Sequence, residues 1–107
     1  MERVAFHLKL KPGKREIYKK LHDEIGDDML NVLGKAGIRN YTIWNSEDDL
    51  FGYYEVTDRT YSNKILAESD VVSRWNDIMD EIYYADIDPD TGTVRELKTV
   101  FKFNLTT

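Results

Sequence analysis

The chain predicts an α+β fold, an antiparallel sheet with helices on one face, and three features of its 107 residues carry that prediction. Apolar and polar residues alternate strictly near the start, as in a half-buried strand. A long stretch with apolar residues three and four apart follows, as on one face of a helix. The same succession then recurs, giving strand-helix-strand-strand-helix-strand. That order is the split βαβ, or ferredoxin-like, unit.

The first strand is expected at Val4 to Lys11, with Val4, Phe6, Leu8 and Leu10 on one face and Arg3, Ala5, His7 and Lys9 on the other. Pro12-Gly13 breaks it and opens a helix over about Lys14 to Ala36. Ile17, Leu21, Ile25, Met29, Val32 and Leu33 form its apolar stripe, and Gly37 stands where a helix C-cap belongs. Gly26 lies inside this stretch and should loosen or kink it just after His22.

The second strand is expected at Ile38 to Asn45, with Tyr41 and Ile43 on one face and Ile38, Thr42 and Trp44 on the other. The turn Ser46-Glu47-Asp48-Asp49 leads to a third strand, Leu50 to Val56. Both strands carry large side chains on both faces, as in sheets covered twice. Helices cover one face, and a chain this short leaves only a second subunit for the other. A dimer whose sheets close into an α/β barrel is the expected assembly.

A helical region is expected from about Arg59 to Tyr83, broken near Ser69-Asp70, where either residue can cap a new helix. Asp86 to Thr93 reads as a loop, because Asp88-Pro89-Asp90-Thr91-Gly92 is dense in turn formers. The last strand is expected at Leu97 to Phe103, and Asn104 to Thr107 form a polar tail. The whole is expected to be a single domain over 1–107.

Composition excludes several functions. Fifteen Lys and Arg against twenty Asp and Glu give a net charge of −5 without a basic block, so nucleic acid and anionic membrane are poor partners. No apolar run approaches the ~18 residues of a membrane span. The chain has no cysteine, which removes disulfides and thiolate chemistry and suits a cytoplasmic setting. The two histidines are isolated from carboxylate clusters at ligand spacing, so no metal site is expected. Asp27-Asp28 and Glu47-Asp48-Asp49 read as solvated surface. There is neither a phosphate-cradling glycine loop nor a serine nucleophile motif.

One pair points to chemistry. Tyr18 and His22 are four apart and share a helix face beside the apolar stripe. A hydroxyl beside an imidazole at the border of a core suits a small polar ligand. It equally describes a solvent-facing helix flank, and spacing alone favours that plainer reading. His7 shows no evident partner. Trp75 sits among Val71, Val72, Ile78, Met79 and Ile82, where core packing is the default, although a flat aromatic face also stacks on a sugar.

Arg3-Val4-Ala5-Phe6, Tyr18-x-x-x-His22, Gly37-Ile38-Arg39-Asn40-Tyr41, Leu50-Phe51-Gly52-Tyr53, Ser73-Arg74-Trp75 and Leu97-x-x-Val100-Phe101 occur in an order that resembles the L-rhamnose mutarotases nearly end to end. No single motif is specific; their order and spacing are. The resemblance implies a homodimeric ferredoxin-like enzyme that inverts the anomeric carbon of a sugar without metal or organic cofactor. It implies that His22 transfers the proton while Tyr18, Tyr41 and Trp75 surround the sugar. Where the family has a second tryptophan after Trp75, this chain has Asn76, which offers an amide to the substrate instead. Gly26-Asp27 replace a Trp-Pro pair, and Thr91-Gly92-Thr93 replace a common Ser-Pro, changes that leave sugar preference open. Two rival functions share this architecture. A cofactor-free monooxygenase requires a closed apolar pocket, and a non-catalytic ligand-binding module requires no acid–base group.

Overall fold

The computed structural model describes residues 1–86, 88–90 and 94–103. Strand β1 (Glu2–Leu10) leads to α1 (Arg15–Asp23) and α2 (Asp27–Lys35), then to β2 (Ile38–Ser46) and β3 (Asp49–Val56). Helices α3 (Arg59–Ala67) and α4 (Asp70–Met79) follow, and then the two-residue strand β4 (Tyr83–Tyr84). The sheet order is β2-β3-β1-β4, and all described pairings are antiparallel. This is the α+β, ferredoxin-like arrangement expected from the sequence.

The face of β1 that alternation marks as apolar is the one covered: Val4, Leu8 and Leu10 are buried, as are Leu50 and Val56 of β3. Tyr18 of α1, with Met79 and Ile82 from the end of α4, joins Leu8, Leu10 and Leu50 in one core cluster. Within α1, Tyr18 is buried while Ile17 is exposed, so the inward face is rotated from the predicted stripe.

The single long helix is two helices. Asp23 ends the first, and Gly26 takes an extended conformation at the start of the second. Asp28 Oδ1 accepts from the Met29 amide at 2.8 Å. Acidic residues are favourable in a first turn, where Asp27 and Asp28 meet the positive end of the helix dipole. Gly37, at φ +81°, closes α2 with its amide on the Gly34 carbonyl. In the second half, the break at Ser69-Asp70 is where the sequence places it. Ser69 Oγ accepts from the Val72 amide at 3.2 Å, as Asp58 Oδ1 does from Tyr61 at 3.1 Å at the start of α3.

Strand β2 departs from simple alternation. Ile38 pairs with Val56 and Thr42 with Tyr53, which leaves one extra residue on β2 between Arg39 and Thr42. Asn40 takes a left-handed conformation at φ +53° inside this bulge. The extra residue reverses the facing, so Ile38, Tyr41 and Ile43 all turn to the helices while Thr42 and Trp44 face away.

The C-terminal half corrects two expectations. The second helical region stops at Met79, and a turn closed by the Ile82 amide on the Met79 carbonyl leads into β4. Tyr83 and Tyr84 pair with Leu10 and Lys9, so the fourth strand precedes the Asp86–Thr93 loop. Residues 97–103 form no strand. Next to them Glu96 bridges Phe6, and the Leu97 amide donates to the Ala5 carbonyl of β1 at 2.7 Å. Strand pairing needs an edge in register, and β1 ends at Glu2. The predicted stretch Thr91-Gly92-Thr93 and tail Asn104–Thr107 lie outside the described residues.

Candidate active site

Between the sheet and helices α1, α2 and α4 lies a cavity of about 1110 Å³. His22, Tyr18, Tyr41, Trp75 and Asn76 all line it, so the fold brings together every residue singled out from the sequence. They come from separate elements: α1 supplies Tyr18 and His22, β2 supplies Tyr41, and α4 supplies Trp75 and Asn76.

His22 is held on three sides. Its Nδ1 donates to the Tyr18 carbonyl oxygen at 2.8 Å, one helical turn back. A carbonyl only accepts, so Nδ1 carries the hydrogen and the neutral ring keeps its lone pair on Nε2. The Tyr18 ring lies 4.2 Å from the imidazole between centroids, and Trp75 meets it edge-to-face at 5.0 Å. Burial lowers the His22 pKa below its ordinary 6.5, while the Tyr18 carbonyl and the Asp23 carboxylate partly offset that effect. The imidazole is therefore neutral and basic at physiological pH.

The opposite wall is a second aromatic group. Tyr41 stacks on Tyr54 at 5.2 Å, and Phe6 meets Tyr41 edge-on at 6.2 Å. Phe6 fits because Gly52 stands beneath it, where a Cβ would collide with the ring. Burial pushes the hydroxyl pKa values of Tyr18, Tyr41, Tyr54 and Tyr83 upward. The hydroxyls of Tyr18, Tyr54 and Tyr83 oppose ionisation of Tyr41 further. All four stay protonated and uncharged, each able to donate or accept a hydrogen bond. Tyr41 as a whole residue is 40% exposed while it lines the cavity.

Tyr54 and Tyr83 were not singled out from the sequence. Tyr54 shares its strand face with Leu50, which could have marked it as facing the cavity. Tyr83 was read as the end of a helix, and only its pairing with Leu10 turns it towards Tyr18, 6.5 Å away.

His7 has a partner after all, on the other face of the sheet. Its Nε2 lies 2.8 Å from Asp49 Oδ1, with Lys9 Nζ at 3.5 Å from the same oxygen. The hydrogen bond from His7 holds the Asp49 carboxyl below its usual range. Among the described residues no group of three or more His, Cys, Asp or Glu is placed to hold a metal ion. Among the described residues no helix is long and apolar enough to cross a membrane.

A tautomer-fixed imidazole facing neutral hydroxyls and flat aromatic walls defines a class: an acid–base site for an uncharged, polyhydroxylated small molecule. The sequence profile described as L-rhamnose mutarotase matches residues 3–103. An L-rhamnose mutarotase of Listeria monocytogenes is 40% identical over 104 residues, covering 94% of this chain and 97% of the relative. One from Burkholderia cenocepacia is 40% identical over 77 residues, covering 70% and 73%. The crystal structure of a Formosa agariphila L-rhamnose mutarotase superimposes with a TM-score of 0.77 at 29% identity, covering 97% of this chain and all of the other. This chain belongs to the L-rhamnose mutarotase family. A tetracenomycin F2 cyclase from Streptomyces glaucescens shares the fold alone, with a TM-score of 0.68 at 12% identity. The closed apolar pocket required of a monooxygenase is not what the fold builds, since Arg15, Lys19 and Asp23 of α1 also line the cavity.

Proposed function

We propose that this chain interconverts the α and β anomers of L-rhamnose, with His22 as the acid–base group, in a single domain that works as a cytoplasmic homodimer. The observation that carries the reading is the Nδ1–Tyr18 carbonyl bond, because it leaves Nε2 as the basic nitrogen of a partly buried imidazole.

Ring opening removes the proton from the anomeric hydroxyl and delivers one to the ring oxygen. Both oxygens are bonded to C1, so a single imidazole nitrogen can serve them in turn. Nε2 takes the hydroxyl proton, and the imidazolium returns it to the ring oxygen as the C1–O5 bond breaks. The C1 hydroxyl oxygen becomes the aldehyde carbonyl. Rotation about C1–C2 presents the other face, and the same nitrogen reverses both transfers on closure. Assistance worth ~10²–10⁴-fold is enough for a reaction that also runs unaided.

Tyr18 and Tyr41 donate to sugar hydroxyls without adding charge. Trp75 offers an apolar wall to the C–H face of the ring, and the exposed Asn76 adds an amide at the cavity rim. Homodimerisation is supported by the uncovered sheet face, where Trp44 and Phe51 lie exposed beside the His7–Asp49 pair. The lack of cysteine is in keeping with a reducing compartment.

Polarimetry of freshly dissolved α-L-rhamnose tests the activity. Relaxation to the equilibrium rotation should accelerate in proportion to protein concentration. An unchanged rate for L-rhamnose and for a panel of other aldoses would end the mutarotase reading.

A further inference from the structure

Strand β4 is two residues long, yet it delivers to the cavity a side chain that ring opening at His22 leaves without a task. Tyr83 pairs with Leu10, and residues directly opposite in an antiparallel pair share a face of the sheet. Leu10 is buried under the helices, so Tyr83 points the same way, packs against the core cluster and lines the cavity. Tyr84 opposes Lys9 and is exposed.

So short a strand needs help to hold its position, and Lys11 supplies it. The Lys11 amide donates to the Ile82 carbonyl at 2.9 Å, directly before β4. Its ammonium donates to the Asp80 carbonyl at 2.8 Å, at the C-cap of α4, where a cation also meets the negative end of the helix dipole. The same ammonium lies 5.6 Å over the Tyr84 ring. Lys11 thus ties the end of α4 and the start of β4 to β1, which fixes where Tyr83 stands.

The Tyr83 ring meets Tyr18 edge-on, and Tyr18 in turn covers the His22 imidazole. Its hydroxyl opposes ionisation of both Tyr18 and Tyr41, which places the three hydroxyls around one space. Among the described residues the Tyr83 hydroxyl has no hydrogen-bond partner, whereas Tyr53, on the outer face, donates to Glu55 Oε2 at 3.2 Å. Nor is it sealed in the protein, since among the described residues no fully buried side-chain oxygen or nitrogen lacks a partner. A half-buried hydroxyl of this kind is left for what enters the cavity.

We propose that Tyr83 binds the sugar through a hydroxyl remote from the anomeric carbon, at C3 or C4, and so helps set which aldoses the site accepts. This deepens the mutarotase reading and rests on it. With C1 beside Nε2 of His22 the sugar extends away from the imidazole, and Tyr83 stands one aromatic ring further on. A donor there selects against sugars that lack the matching hydroxyl, because it is then left unpaired. The C3 and C4 hydroxyls take no part in ring opening. The contact therefore strengthens ground state and transition state alike, and shows in KM rather than in kcat.

Steady-state mutarotation by wild type and Tyr83→Phe, on L-rhamnose and its 3-deoxy and 4-deoxy analogues, tests the assignment. Phenylalanine keeps the ring against Tyr18 and removes only the hydroxyl. KM for L-rhamnose should rise about three- to tenfold, with kcat within about twofold and the acid limb of the pH profile unmoved. Wild type should discriminate against one of the two deoxy sugars by a similar factor in kcat/KM, and Tyr83→Phe should lose that discrimination. An unchanged KM, a fall in kcat alone, or discrimination undiminished in Tyr83→Phe would overturn the proposal. So would a wild type that turns over both deoxy sugars as well as L-rhamnose, a result that needs no variant. A wild type without activity on L-rhamnose would remove the mutarotase reading itself, and the role of Tyr83 with it.

Discussion

Gly52→Ala probes how the sheet shapes the cavity. A Cβ at Gly52 would stand 2.5 and 2.6 Å from Phe6 Cε1 and Cε2 and closer still to Cζ, against 3.4–4 Å for ordinary contact. The obstacle is an aromatic ring packed against the core rather than the tip of a flexible chain. Phe6 cannot simply swing away, because Tyr41 and Tyr54 hold it at 6.2 and 6.4 Å between centroids. Overpacking of this kind costs about 1–3 kcal/mol. At ~4–8 °C per kcal/mol for a domain near this size, thermal unfolding followed by circular dichroism should fall by roughly 5–20 °C. Phe6→Leu is destabilising in the wild type, yet in the Gly52→Ala background it relieves the clash, so the two changes should cost less together than their sum. The displaced Phe6 also disturbs the Tyr41–Tyr54 stack, and KM for the sugar should rise. A Gly52→Ala protein melting within about 1 °C of wild type, with no coupling to Phe6, would refute the packing described for this wall.

Three further outcomes follow from the same geometry. Ser69→Ala removes the acceptor for the Val72 amide and should cost about 1 kcal/mol, measured by urea unfolding, because it frees one orphan donor at the start of α4. Activity should fall on acidification and not on mild alkalinisation. Burial lowers the His22 pKa, so the basic Nε2 is lost only as pH drops through a value below 6.5, while the raised tyrosine pKa values keep every donor protonated well above neutrality. An acid limb of kcat/KM centred above pH 6.5 would contradict that placement. Trp75→Leu should raise KM by removing the flat wall and also weaken kcat, since Trp75 holds the His22 ring edge-to-face; steady-state kinetics across sugar concentrations separates the two effects.

What the sequence revealed and what it concealed follow from the range of the forces involved. The Tyr18–His22 pair was legible because four residues on a helix fix a neighbour without reference to the rest of the molecule. The caps at Asp58 and Ser69 were equally local, and only the second was anticipated. The break at Gly26 was half legible: the glycine signalled a weak point, but the acidic pair that favours a new helix start had been assigned to solvated surface. The bulge in β2 was not legible, since nothing in Arg39-Asn40-Tyr41 announces that an extra residue reverses the strand. It decides that Ile38 and Tyr41 share a face. Tyr83 was hidden for a similar reason. Its neighbours continue a helical pattern, and only pairing with Leu10, more than seventy residues earlier, makes it a strand. Residues 97–103 read as a strand in the sequence, but beyond the Phe6–Glu96 bridge and the Leu97 amide on the Ala5 carbonyl the segment forms none, because such a pairing is decided by an edge far away in the chain. Trp75 reached His22 through packing of α4 against the rest, which its apolar helix face could not specify.

Saturation transfer between the two anomeric proton resonances of L-rhamnose tests the role of His22 most directly, with wild type and His22→Asn compared at equal concentration. Asparagine keeps a donor for the Tyr18 carbonyl near the position of Nδ1 but has no basic nitrogen in place of Nε2. The account predicts accelerated exchange with wild type and a loss of ~10²–10⁴-fold in the folded variant. Undiminished exchange in a folded His22→Asn protein would contradict it and move the proton transfer to another group in the cavity.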